Sequence, residues 1–301
     1  MHASAAVTSP RWLVLFVWWI TCVIWSSVFL FIKVGVTEVP PLGFATTRLA
    51  LAAFALVLFT TVKGYRWPSD GRDWVVIGAT GVLLLGINYG LLFWGSQFIP
   101  SGVTAVLGAS SPAISLILAS FLGSERMTVM KVAGVMLGLV GVGIVCLDQA
   151  RLSGAWSLAG SLAVTGGATC VASAYVAVKK YGRAVDPTIL MAGQMVSALV
   201  PLGLVAIARE GNPMAFEWTT TAIVALLYLT IAGSIVAMWL NYWLLRRMDA
   251  TTVLSMGFVE PFIAVLLGAV FLDERIGLRT LAGGLAVTVS VWLVLRRDAS
   301  H

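Results

Sequence analysis

The residues of this chain best equipped for chemistry are ionisable groups set inside long apolar runs. Glu260 lies near the middle of one run, and Arg48 about six residues inside another. A charge in hydrocarbon costs a few kcal/mol unless it is paired or solvated, so such groups face a cavity or a partner. Glu260 is a candidate to titrate and so to couple proton movement to a conformational cycle. The alternative is a hydrogen-bonded carboxyl that caps backbone opened by the adjacent Pro261. Arg48 can offer its fork of donors to a carboxylate, either Glu38 or that of a ligand. Lys33 and Lys179, near the ends of their runs, can carry their charge to the interface on flexible stems. Other chemistries lack their parts: His2 and His301 are terminal, and Cys22, Cys146 and Cys170 are scattered through apolar runs with no metal-ligand spacing. No phosphate loop and no nucleophile with its base can be assembled, so no cofactor or metal is expected.

Aromatic and amide residues supply a second kind of chemistry, recognition without reaction. Trp18, Cys22, Trp25 and Phe29 follow helical spacing in the first run; Asn88 and Tyr89 share the third; Tyr175 is in the sixth; Trp239, Asn241 and Tyr242 are in the eighth. Flat apolar walls with a few amides and hydroxyls suit a small amphipathic molecule. The competing reading makes the amides helix–helix glue and the aromatics lipid-facing. Trp12, Trp67, Trp74, Trp156 and Trp218 fit membrane interfaces better than a site.

These residues must be positioned by membrane-spanning helices. Of 301 residues, 59% are hydrophobic and 11% charged, with a mean hydropathy of +0.97, against about a quarter charged in soluble domains. The polar and Pro/Gly breaks divide the chain into ten apolar helices of spanning length: 12–35, 42–62, 73–96, 102–122, 129–147, 156–180, 187–208, 219–245, 251–272 and 278–295. The least secure junction is Gln97–Ser101, between the third and fourth. Thirteen of the 19 Lys and Arg fall on one side of this arrangement and five on the other, with Arg48 inside a span. Both termini are therefore expected on the cytoplasmic side. The net charge of +6 is spread through the flanking loops, so nucleic acid is not expected as a partner.

The chain is also written twice. Gly108, Pro112, Glu125, Arg126, Ala133 and Gly134 recur 149 residues later as Gly257, Pro261, Glu274, Arg275, Ala282 and Gly283, and Trp94 recurs as Trp243. Five spans per half is odd, so the second half enters the membrane from the opposite side, an inverted repeat with a binding site expected between the halves. Pro112 and Pro261 each remove a helical hydrogen bond mid-span, and are read as paired hinges or as openings of backbone toward a polar cavity, the alternative being bends that serve packing alone. Glycines such as Gly86, Gly90, Gly134 and Gly138 mark close helix packing, with the fifth and tenth helices offered as a seam between two copies of the chain, a homodimer.

Trp25-Ser26-Ser27 through Ile32-Lys33-Val34-Gly35, then Pro40-Pro41 and Arg48, with Pro112 before Glu125 and Glu260-Pro261 before Glu274, resembles the EamA-type repeat of the drug/metabolite transporter superfamily. The resemblance covers nearly the whole chain and implies an all-α integral membrane protein of ten helices in two inverted five-helix repeats, 1–147 and 148–301. It implies a transporter and leaves its substrate open, because members carry amino acids, sugars, nucleotide derivatives and drugs. One departure matters: aligning Pro41 with Pro187 sets Gln194 opposite Arg48, so the two half-sites differ in charge. The expectation is a cell-membrane exporter of small amphipathic metabolites, amino-acid-like and including aromatic ones, or of drugs, working by alternating access in the lipid bilayer. Trp25, Arg48, Asn88, Tyr89, Tyr175, Trp239, Asn241 and Tyr242 are expected to bind substrate, and Pro112, Glu260 and Pro261 to couple or hinge. A passive channel is the alternative; an intramembrane enzyme is disfavoured by the missing catalytic sets.

Overall fold

The computed structural model describes residues 10–122, 128–182, 185–245, 247–248 and 256–295. Among these, every regular element is helical, and the described residues form ten helices. They are α1 (Arg11–Glu38), α2 (Pro41–Val62), α3 (Gly71–Ser96), α4 (Ser101–Gly108 and Ser111–Phe121) and α5 (Val129–Ser153). The second half supplies α6 (Ala155–Tyr181), α7 (Pro187–Glu210), α8 (Thr220–Thr230, Ile231–Val236 and Ala237–Leu245), α9 (Met256–Leu272) and α10 (Leu278–Leu295). Eight are long and apolar enough to cross a membrane, and the two last are shorter apolar helices. Large apolar side chains such as Trp12, Phe54, Val200 and Leu266 stand exposed on the outer surface, where only hydrocarbon could satisfy them. The chain is a multi-pass membrane protein.

Local chemistry sets the helix ends. Pro41 and Pro187 occupy first-turn positions, where a missing N–H costs nothing. Asp186 accepts from the N–H of Thr188 at 2.8 Å, and Thr219 from that of Ala222 at 3.1 Å. Gly211, at φ 89°, ends α7 in a conformation that only glycine adopts without strain.

Three departures from regular helix shape the interior. α3 contains a π-helical turn at Val82–Ile87, and α8 contains one at Ile231–Val236, 149 residues later. α4 is interrupted at Ala109–Ser110, just before Pro112. Pro261, its counterpart, lies inside continuous helix.

The helices pack by close approach. α5 and α10 form the most extensive pair, and a Cβ on Gly141 would stand 2.7 Å from the Gly283 carbonyl oxygen. Gly138 abuts Ser290 in the same seam. Gly138, Gly141 and Gly283 are thus engaged within one chain. α2 packs on α7, α3 on α6 and α7, and α1 on α8 and α9. The largest apolar cluster, around Phe44, Leu49, Phe93 and Leu229, ties α1, α2, α3, α7 and α8 together.

Candidate functional site

A cavity of about 960 Å³ opens among α1, α3, α4, α6, α8, α9 and α10. Its lining comes mainly from the C-terminal parts of α4 and α6 and the start of α9, so it reaches the end of the bundle that carries Lys179 and Lys180. Seven of the residues singled out from the sequence line it: Trp25, Asn88, Pro112, Tyr175, Asn241, Glu260 and Pro261. The prolines arrive with a matched pair of neighbours. Gly108 and Gly257, four residues before each proline, also line the cavity. Proline has no N–H, so neither glycine carbonyl has its helical donor.

Three polar groups here, on Glu260, Asn241 and Tyr175, are unengaged among the described residues. Glu260 makes no hydrogen bond or salt bridge to any described residue, and the expected alternative, a carboxyl capping the backbone at Pro261, is not formed. Asn241 and Tyr175 likewise have no hydrogen-bond partner among the described residues. Asn88 donates to its own helix, to Leu84 O at 3.1 Å in the π-helical turn, and its amide oxygen faces Gly167 of α6. A wall of Trp25, Phe29 and Tyr175 with these free polar atoms can bury a flat apolar body and hydrogen-bond a few polar substituents.

Three of the expected site residues fall elsewhere. Trp239 is 64% exposed on the outer surface and does not line the cavity. It precedes Asn241 by two residues, which on a helix is about 200° of rotation, so one faces the cavity and the other lipid. Tyr89 packs against the α1–α2–α3–α7–α8 cluster, a quarter-turn from Asn88. Arg48 is buried on α2, a helix that contributes nothing to the lining. It does not pair with Glu38, which instead accepts from Thr219 Oγ1 at 2.7 Å. The side chain of Tyr242 and residue Glu125 lie outside the described residues.

A known family accounts for this arrangement. The EamA-like transporter family matches residues 12–147 and again 158–296. The chain belongs to the EamA-like transporter family. The chain is 28% identical over 262 residues to the uncharacterized transporter YvbV of Bacillus subtilis, covering 87% of this chain and 85% of that protein. It is 30% identical over 251 residues to the uncharacterized inner membrane transporter YedA of Escherichia coli, covering 82% and 78%. Protein PecM of Dickeya dadantii is 27% identical over 261 residues, covering 86% and 84%. A crystal structure 19% identical in sequence shares the fold, with a TM-score of 0.62 over 94% of this chain and 96% of that one.

In this EamA-like transporter the end of the bundle away from Lys179 and Lys180 is crossed by hydrogen bonds between helices. Lys33 Nζ donates to the carbonyls of Ser96 and Gln97, both at 2.9 Å, where the C-terminus of α3 concentrates negative charge. Glu274, between α9 and α10, accepts from Ser101 N and Ser101 Oγ, both at 2.8 Å, at the N-terminus of α4. The α3–α4 turn is thus gripped from both halves of the chain. Glu210 grips the start of α2 in the same way, accepting from Leu42 N at 3.1 Å and Gly43 N at 2.7 Å. Deeper in, Tyr228 shares a 2.6 Å hydrogen bond with Ser27 and stacks on Phe31, with ring centroids 3.9 Å apart.

Sequence reasoning missed Ser111 and Ser115, whose positions flank Pro112 on the cavity wall. The Ser110-Ser111-Pro112 run inside an apolar span was the available signal. Lys180, counted in the sequence only among the charges that orient the chain, also lines the cavity.

Proposed function

We propose that this transporter exports a small amphipathic metabolite or drug-like compound across the cell membrane by alternating access between two inverted repeats, 1–147 and 148–301. Both termini face the cytoplasm on this reading, which follows the excess of Lys and Arg. The cavity end with Lys179 and Lys180 is then cytoplasmic, and the tied end is external. One observation carries the proposal: an aromatic-walled cavity reaches one end of the bundle while charged contacts from both halves close the other. That is the arrangement of a carrier waiting to load from the cytoplasm. The kinship with YedA, named an inner membrane transporter, supports the location.

Trp25 and Tyr175 are the proposed walls of the substrate site, and Pro112, Glu260 and Pro261 its moving or titrating parts. The test begins by comparing the metabolites released by cells with and without the protein, then follows the compound that differs in reconstituted vesicles. An aromatic contact is worth about 0.5–1.5 kcal/mol beyond area burial. Trp25→Ala and Tyr175→Ala are each expected to weaken binding about 2- to 10-fold. Trp239→Ala, on the lipid face, is expected to leave binding unchanged. Full affinity in the first two variants would refute the central site.

A further inference from the structure

Arg48 is 5% exposed, and its buried Nε has no hydrogen-bond partner. The guanidinium lies over the rings of Tyr89 and Phe93, 5.2 and 5.8 Å from their centroids. Its Nη2 reaches the π-helical turn of α8, 3.7 Å from where a Cβ on Gly233 would sit. Among the described residues it makes no hydrogen bond and no salt bridge. Ring faces attract a cation but accept few of the five N–H groups an arginine must satisfy. A buried charge left in that condition is costly.

The other half of the chain reveals what packing alone requires at this place. Gln194 follows Pro187 by the same seven residues that separate Arg48 from Pro41. It is equally buried, at 5% exposed, and its Nε2 donates to Thr80 Oγ1 on α3 at 2.8 Å. The counterpart of Thr80, 149 residues later, is Leu229 on α8, which is fully buried. One half thus closes the position with a neutral amide and a hydroxyl. The other keeps a cation, and the matching position on α8 is a leucine. Architecture does not demand the charge.

We propose that Arg48 is an anion-binding subsite, separate from the cavity, that takes the carboxylate of an amphipathic substrate while Tyr89 and Phe93 contact its apolar body. The proposal rests on the export reading above and names the substrate class as carboxylate-bearing. The route is short, because Asn88 lines the cavity and Tyr89, next along α3, lies under the guanidinium. The subsite is covered in the present conformation by the π-helical turn of α8, and it becomes reachable as the external side opens.

The experiment uses the full chain in lipid nanodiscs and two probes of the same shape, 3-phenylpropionate and its neutral amide 3-phenylpropionamide. The unsubstituted protein is expected to bind the carboxylate at least tenfold more tightly, as a charge-assisted fork contact implies. Arg48→Gln should erase the preference and leave affinity for the amide intact. The double substitution Arg48→Gln with Leu229→Thr rebuilds the amide–hydroxyl pair of the other half. It should lack the preference too, and should melt, without ligand, at or above the temperature of the unsubstituted protein. Equal binding of both probes by the unsubstituted protein, or a preference that survives in the folded double variant, overturns the anion subsite and leaves the export reading standing. A double variant that melts well below the unsubstituted protein also overturns it, by making Arg48 a packing element. Binding of neither probe sinks the amphiphile reading and the subsite with it.

Discussion

Removing the carboxylate of Glu274 should open the external side. It accepts two hydrogen bonds of 2.8 Å from Ser101, one from the first turn of α4 and one from the hydroxyl. A tertiary cap of this kind is worth about 1 kcal/mol for the backbone contact, and a hydrogen bond to a charged group adds about 1.5 kcal/mol or more. Glu274 is only half-buried, so solvent screening argues for the low end, about 2 kcal/mol in all. On the proposed alternating-access reading, these contacts break when α4 parts from the α9–α10 loop. Glu274→Ala should therefore raise the ratio of outward-open to closed protein up to about 30-fold. The assay places one cysteine at Ala105, which lines the cavity, in a chain whose Cys22, Cys146 and Cys170 have been replaced. An impermeant maleimide is then added outside intact cells. Labelling should accelerate by an order of magnitude in Glu274→Ala and by less in Glu274→Gln, which keeps an acceptor oxygen. An increase below about twofold, accompanied by a lower melting temperature, would mean that the contacts hold both conformations equally, and the latch would be refuted.

Cysteines placed at Lys63 and Arg183 should react only from the cytoplasm and one at Arg275 only from outside; labelling of Arg183 and Arg275 from a common side would refute the opposed insertion of the halves. Glu260→Gln should give folded protein in the membrane whose flux no longer varies with pH, and an unchanged pH profile would leave Glu260 a structural role only. Gly141→Ala should cost about 1–3 kcal/mol, read as a lowered melting temperature, because its Cβ would stand 2.7 Å from the Gly283 carbonyl. Gly143→Ala, with open space around it, should lose nothing and gain slightly from helix propensity.

Which parts of this molecule could be read from its sequence follows from what the bilayer demands. Hydrocarbon enforces long apolar runs with polar ends, so all ten helices were legible, α7 from its start at Pro187 and α2 to within one residue of its start at Pro41. Even the weakest junction, Gln97–Ser101, proved to be a real turn, held by Lys33 and Glu274. The faces of those helices were not legible, because lipid and protein interior are both apolar and no polar stripe marks the side that points inward. That is why Trp239 and Asn241 were placed together although they look in opposite directions. The depth of Arg48 in its helix was readable, but its lack of an anionic partner depends on residues from α3 and α8 that only the folded chain brings near. The seven residues that do meet in the cavity are mostly those whose polarity or backbone chemistry is expensive in a membrane, and expense is what a sequence displays.

The two π-helical turns carry information about time. Such a turn arises when a single residue is inserted into an α-helix, the surplus being absorbed as a local widening. Deletion of the surplus would normally be advantageous, since it restores regular hydrogen bonding. Yet both halves hold the widening at one alignment position, Val82–Ile87 and Ile231–Val236. Two independent insertions at one site are the less economical history. The simpler chronology has a single ancestral segment acquire the extra residue, then be copied and fused to itself, with both descendants retaining it since. On that chronology the bulge predates the joining of the two matching halves.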